Sequence, residues 1–384
     1  MHFSHPEWDG KEIIDNLIKK DKNSPVVLLL NMQNKGYVSS PGRICLFGEH
    51  QDYLGLPVIP MAINKRLKLY YQLHKGSTNV KLQSHQLNQV EKLILTDKPQ
   101  ITGSPYDYLK AALLYFWEEL NLFLPSEILI DSSIPIRAGM SSSAALLTTM
   151  VFLISNLILK YNFNEEKIAE IAYFCEHDIL GISCGRMDQY ACSLGGIFYM
   201  TSQGKPEITP IYSLKNVYFI IANSGVKRKA DIPLKKVQQD IFQALKDFNT
   251  PKLNDLTEEV IRLAKLSQLQ QKRLLGVIGI RDNTQAAFEE LKRKNYDLNY
   301  IGRLLTEQQY YLKENYKVSH PKLDVMCKTA IDKGALGAKL TGAGFGGCMF
   351  ALAVDKENAI RIREALHVFG DSFIVQMDTG VTGH

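Results

Sequence analysis

Residues 40–55, SPGRICLFGEHQDYLG, hold Arg43, Glu49, His50 and Asp52 in a ten-residue span. The span lies beside the apolar run Ile44-Cys45-Leu46-Phe47, between a Pro-Gly and a Gly. A chain with this stretch has to end an apolar strand in a knot of charged and hydrogen-bonding groups. Two readings are open: a strand that runs into a solvated turn, or a strand end that holds a polar small molecule.

Two other constellations bear on the choice. In Ile134-Pro-Ile-Arg-Ala-Gly-Met-Ser-Ser-Ser-Ala-Ala145, a glycine and three serines precede a long apolar helix. Free N–H groups at a helix start, with hydroxyls beside them, suit a phosphate. The plain alternative is a serine N-cap, for which one serine would do. The second, Leu340-Thr-Gly-Ala-Gly-Phe-Gly-Gly-Cys348, contains a formal G-x-G-x-x-G. A dinucleotide site needs a strand before that motif and a helix after it. Here the strand-like CMFALAV follows, so the loop is read as a tight turn between strands or a backbone loop over a ligand. Between the two lies Cys184-Gly-Arg-Met-Asp-Gln-Tyr190, whose Asp188 comes twelve residues after Glu176. A lone Asp is commonly a turn or surface residue.

Composition narrows the classes. With 384 residues, 45% apolar and 22% charged, the chain can bury one large core or two. A net charge of +5 lacks the dense basic patch of a nucleic-acid binder, and Lys227-Arg228-Lys229 reads as solvated surface. None of the six cysteines forms a Cys-x-x-Cys pair, so neither a zinc nor a redox motif is indicated. A reducing cytoplasm is the simplest expectation. The most apolar segment, 144–159, is broken by Thr148, Thr149, Ser155 and Asn156 and reads as a buried helix, not a membrane span.

Periodicity gives a coarse map. Residues 11–20 read as a short amphipathic helix, 36–73 as strands around a turn, 105–120 as a helix opened by a proline, and 126–131 as a strand. Residues 164–180 read as a helix with Asn162 or Asn164 as cap and Gly181 as its close. Ile168, Ile171, Ala172, Cys175 and Ile179 form its apolar stripe. Glu176 borders the stripe, so its carboxylate either snorkels out or faces a cleft. Strands follow at 196–201 and 216–223. Residues 231–317 are mostly helical, and 336–377 mix Gly-rich turns, strands and a helix near 355–368. Strands and helices without strict βαβ alternation predict an α+β fold. Two domains are expected, 1–208 and 209–384.

Together the three stretches resemble the GHMP kinase superfamily, whose motifs occur here in order across residues 40–350. Galactokinase is the nearest match within it. Its PGRVNLIGEHTDY is PGRICLFGEHQDY here, and its CGIMDQ is CGRMDQ. The C-terminal VSHPKLD and GALGAKLTGAG are closer to mevalonate kinase. The resemblance implies a two-domain fold, an N-terminal ribosomal-protein-S5-like α/β domain and a C-terminal ferredoxin-like α+β domain, with the active site between them.

It also implies roles. Arg43 and Asp188 would be catalytic, Arg43 by the transferred phosphoryl group and Asp188 facing the hydroxyl that accepts it. Glu49, His50, Asp52 and Tyr53 would hold the sugar. Gly139, Ser141, Ser142, Ser143, Ala144, Gly342 and Gly344 would bind ATP. Ser142 or Ser143, with Glu176, would hold Mg²⁺. The implied function is ATP-dependent phosphorylation of the anomeric hydroxyl of a monosaccharide, by a monomer or homodimer with no nucleic-acid or membrane partner. Uronic-acid kinase, mevalonate kinase and a non-catalytic sugar and ATP sensor are the alternatives. Three departures stand out: Arg137 replaces the first glycine of the phosphate loop, Cys45 replaces an asparagine, and KRKADIPLKK after Asn223-Ser-Gly-Val226 lacks the tyrosine that packs on the sugar. Arg137 is expected to point outward, and the 227–229 cluster is a possible partner for a sugar carboxylate.

Overall fold

The computed structural model describes residues 35–384 apart from 74–78, 95–96, 121–125, 137, 203, 213, 215–216, 227–230 and 249–252. The expected helix at 11–20, Arg137 and the 227–229 cluster lie outside the described residues.

The first body is built on β1 (Lys35–Phe47), β2 (Ile59–Leu73), β3 (Asn79–Ser84), β4 (Gln89–Ile94) and β5 (Ser126–Ser132). β1 and β2 make a long antiparallel hairpin, with a bulge at Pro41/Gly42. Val38 to Phe47 are all buried, so this strand is covered on both faces. That is why Ile44-Cys45-Leu46-Phe47 is a run and not an alternation. β5 pairs antiparallel with β2 and parallel with β3. Four helices pack here: α1 (Asp107–Leu120), α2 (Ser142–Phe152), α3 (Glu165–Phe174) and α4 (Met187–Leu194). A π-helical turn, Leu153–Ile158, extends α2, and another, Cys175–Ile179, extends α3. Asn164 caps α3 by accepting from the Lys167 N–H. Gly181 follows in the left-handed region, at φ 66°. A small ribbon, β6 (Phe198–Thr201) and β7 (Glu207–Pro210), completes the first body.

The second body begins with β8 (Tyr218–Asn223). Five helices follow: α5 (Asp231–Phe248), α6 (Glu258–Leu263), α7 (Gln268–Leu291), α8 (Leu298–Tyr310) and α9 (Pro321–Asp332). Then come β9 (Gly337–Leu340), β10 (Cys348–Ala353), α10 (Lys356–His367) and β11 (Ser372–Val375). The sheet order is β11-β8-β10-β9, antiparallel throughout. Numbered within the unit this is 4-1-3-2, the ferredoxin-like arrangement, with its first helix expanded into five. The expected two-part α+β architecture is what the chain adopts.

Alternation along the second sheet joins the two bodies. Phe219, Ile221, Phe350 and Leu352 pack into the core that holds β1 and β2. Ile220, Ala222, Met349 and Ala351, one residue out of step, pack against the helices of the second body. A period of two thus directs one strand into two cores. The chain end returns as well. Beyond Val375 it forms β12 (Thr382–Gly383), which pairs with β1 and makes the first sheet β12-β1-β2-β5-β3-β4. Arg66 on β2 pins this tail: Nη1 donates to Asp378 at 2.9 Å and Nη2 to the Gly380 carbonyl at 2.8 Å.

Gly380 sits against the end of α4, where a Cβ would lie 2.0 Å from the Ser193 carbonyl oxygen and 2.6 Å from the Leu194 carbonyl carbon. Backbone cannot yield there as a side chain would. Gly380→Ala is expected to cost about 1–3 kcal/mol in denaturant unfolding, as overpacking does.

Candidate active site

β1 delivers Arg43 into the interior, where it is 3% exposed. Its Nε and Nη2 donate to Asp188 Oδ1 at 2.8 and 2.6 Å, and Nη1 donates to the Gly139 carbonyl at 2.5 Å. One guanidinium thus ties the first motif to the first turn of α4 and to the loop before α2. Burial opposes its charge, but Asp188 and then Glu49 more than offset this, and its pKa is raised. The fork geometry suits arginine and not lysine.

The loop before α2 has the geometry of an anion cradle. Gly139 lies at φ 88° and Ser141 at φ 59°, a strained position for a serine. Ser141 holds the N-cap position but its side chain caps nothing, and its buried Oγ has no partner among the described residues. The N–H groups of the first turn, from Ser142, Ser143 and Ala144, therefore lack a side-chain cap. Gly342 packs on this loop: a Cβ there would lie 2.8 Å from Gly139 Cα. Gly344 is equally confined, at 2.2 Å from the Val318 carbonyl oxygen. The third motif is thus the β9–β10 turn, laid across the serine-rich loop.

Glu176 resolves its two readings toward the cleft. It lies in the π-helical turn that starts at Cys175, on the helix face of the buried Ala169 and Ala172, and is 5% exposed. Its carboxylate accepts from Gln189 Nε2 at 2.6 Å and from the Ser143 hydroxyl. Burial first, then the charge of Asp188, pushes its pKa up to about 7. Asp52, Glu176 and Asp188 thus share one region with the buried guanidinium of Arg43. A carboxylate and a hydroxyl in mutual contact, amid surplus negative charge, fit Mg²⁺, which takes hard oxygen ligands and keeps several waters. No cluster of three His, Cys, Asp or Glu side chains with metal-ligand spacing occurs among the described residues.

The expected sugar clamp divides in two. Asp52 and Tyr53 line a cavity of about 290 Å³, with Cys184, Gly185 and Arg186 from the segment before α4. Asp52 accepts from the N–H groups of Tyr53 at 3.0 Å and Met187 at 3.4 Å. The buried Tyr53 hydroxyl has no partner among the described residues. A Cβ at 185 would lie 1.9 Å from Asp52 Oδ2, so a side chain there would displace the Asp52 carboxylate. His50, at φ 66°, stacks on Tyr316 with ring centres 5.5 Å apart. Glu49 is 1% exposed and is not part of the cavity lining. It pairs with the fully buried Lys339 and accepts from the Gly342 N–H. Lys339 also donates to the Cys45 carbonyl at 3.0 Å, and Thr341 Oγ1 accepts from the Cys45 N–H at 3.1 Å. Sequence reasoning missed Lys339, Gln189 and Tyr316. A lysine in a glycine-rich segment reads as solvated, and only the third dimension brings it under Glu49.

Comparison with known proteins accords with this geometry. Residues 107–196 match the GHMP kinases N terminal domain, 287–371 the GHMP kinases C terminal family, and 31–71 the galactokinase galactose-binding signature. A galactokinase of Pyrococcus furiosus is 33% identical over 86% of this chain and 92% of its own length. The chain belongs to the galactokinase family of GHMP kinases. It is a galactokinase-like sugar-1-kinase, a phosphotransferase with an alcohol acceptor. Another family member, from Thermococcus kodakarensis, is 30% identical over 88% of this chain and 94% of its own. Among solved structures, Lactococcus lactis galactokinase complexed with galactose superposes with a TM-score of 0.80, at 25% identity over 96% of this chain and 99% of that one. The Methanococcus jannaschii mevalonate kinase has the same fold, with a TM-score of 0.70 at 23% identity, covering 89% of this chain and 98% of that one. Among the described residues, no helix is long and apolar enough to cross a membrane.

Two outcomes follow from the charges. Lys339→Met would leave Glu49 buried without its cation and is expected to cost about 3–5 kcal/mol in denaturant unfolding. Adding Glu49→Gln should recover most of that loss. The Asp52 carboxyl is pushed up to about 6, by burial first and then by Asp188. It is therefore protonated below that pH and loses its strength as an acceptor. The sugar KM should rise as pH falls through about 6, and Asp52→Asn should flatten this part of the pH profile.

Proposed function

We propose that this chain transfers the γ-phosphoryl group of ATP, with Mg²⁺, to the anomeric hydroxyl of a galactose-type monosaccharide held beside Asp52 and Tyr53. The observation that carries the reading is the Arg43–Asp188 pair, at 2.6 Å, bonded to the serine-rich loop at the Gly139 carbonyl and lying close to Asp52 in the cavity wall. The names of the curated relatives, and of the Lactococcus lactis complex, support a sugar of this class.

Phosphoryl transfer asks little covalent chemistry of a protein; it asks for in-line positioning and charge neutralisation. Asp188, one-third exposed, is the carboxylate that accepts or orients the proton of the attacking hydroxyl. Arg43 holds Asp188 by its Nε edge and offsets charge on the phosphoryl oxygens. Ser142, Ser143 and Ala144 present N–H groups to the ATP phosphates, with Gly139 and Gly342 leaving room for close approach. Glu176, with Ser143 or Ser142, would hold Mg²⁺, which neutralises phosphate charge when bound. Asp52 accepts charge-assisted hydrogen bonds from sugar hydroxyls, and Tyr53 brings a hydroxyl that has no partner among the described residues.

The test is a coupled ADP-release assay against galactose, galacturonate, glucuronate, arabinose, fucose, N-acetylgalactosamine and mevalonate. One of the sugars should be turned over. Asp188→Asn should lower kcat by roughly 10²–10⁴-fold with ATP affinity retained. Equal turnover by the variant would remove Asp188 from the chemistry, and turnover of mevalonate alone would replace the sugar reading.

A further inference from the structure

Gln189 has no part in the reaction proposed above, yet it is held between groups that do. It sits in the first turn of α4, directly after Asp188, and is fully buried. Successive residues of a helix point about 100° apart. The two side chains therefore reach different elements. Asp188 pairs with Arg43 of β1, and Gln189 Nε2 donates at 2.6 Å to Glu176 Oε2, in the π-helical turn beyond α3. An ionised carboxylate only accepts, so the nitrogen of the amide is the atom that faces it.

The other end of the amide is left over. Gln189 Oε1 is buried and has no hydrogen-bond partner among the described residues. A buried carbonyl without a partner costs free energy, which an apolar side chain of similar length would avoid. The amide is therefore not placed here for its own pairing. What it does satisfy is the buried Glu176 carboxylate, whose other donor is the Ser143 hydroxyl. A neutral donor suits that task. A lysine or arginine would offset the charge that draws a cation, whereas an amide orients the carboxylate and leaves its charge in place.

We propose that Gln189 is a positioning residue for the metal: its amide fixes the Glu176 carboxylate for Mg²⁺, so that one turn of α4 sets both Asp188 and the metal ligand. This rests on the sugar-kinase reading and adds to it a side chain that acts through Glu176.

Loss of the amide has to appear in the magnesium-dependent part of nucleotide binding. Isothermal titration calorimetry of the full-length protein with ATP, once with excess Mg²⁺ and once with EDTA, separates that part. Wild type should bind ATP more tightly with Mg²⁺. Gln189→Met lacks the donor; it should weaken binding with Mg²⁺ by about 10-fold or more and leave binding in EDTA within about twofold. Merely structural damage would weaken both alike. In a Glu176→Gln background, Gln189→Met should weaken neither further. Gln189→Asn withdraws the amide by one methylene and should act in the same direction; it carries the test if Gln189→Met is unfolded by circular dichroism. A loss not confined to the Mg²⁺ titration, or no loss at all, overturns the role of Gln189 while the sugar kinase stands. Failure of both variants to fold overturns it too, since the amide would then be a requirement of the fold. A wild type that binds ATP equally with and without Mg²⁺ removes the metal from Glu176 and this proposal with it, while turnover in the sugar panel still decides the sugar kinase.

Discussion

The site depends on a single buried guanidinium. Arg43 draws together Asp188, 145 residues away, and the Gly139 carbonyl, 96 residues away. A buried cation has to be paired, and here the partners that satisfy it are the two sides of the proposed reaction site. The loop proposed for the phosphates and the aspartate proposed to face the acceptor are therefore positioned by the same side chain. Its own place is fixed by a strand buried on both faces.

A second buried pair does comparable work for the third motif. Lys339 and Glu49 join the β9–β10 turn to the end of β1, and the Gly342 N–H adds a further bond to the same carboxylate. Glu49 therefore acts as a brace between motifs, while Asp52 and Tyr53 face the cavity. The four polar groups of the opening stretch have different partners: Arg43 pairs with Asp188, Glu49 with Lys339, His50 stacks on Tyr316, and Asp52 lines the cavity.

Much of this was legible in the sequence because the motifs combine rare residue types at short spacing. Arg43, Asp52, Glu176 and Asp188 stand out as polar groups beside apolar runs, and the structure brings them together. The helices and strands after residue 105 follow their periodicity closely, including the Asn164 cap. The rest was hidden for physical reasons. Lys339 reads as surface until its partner is known. Glu176 shares a helix face with Ala169 and Ala172, and the period alone does not say whether a carboxylate there snorkels out or faces a cleft. β12 is two residues long, too short to carry a pattern, and its place is set by Arg66 on a distant strand.

The returning tail has a consequence for how ligands reach the cavity. The chain passes from first body to second before β8 and comes back after β11, and the second sheet shares a core with the first. Spreading the two bodies like a hinge would strip β12 from β1 and expose Phe219 and Phe350 to water. A ligand therefore enters and leaves the cavity with the two bodies still joined, past a wall to which α5 contributes Gln238 and the half-exposed Phe242.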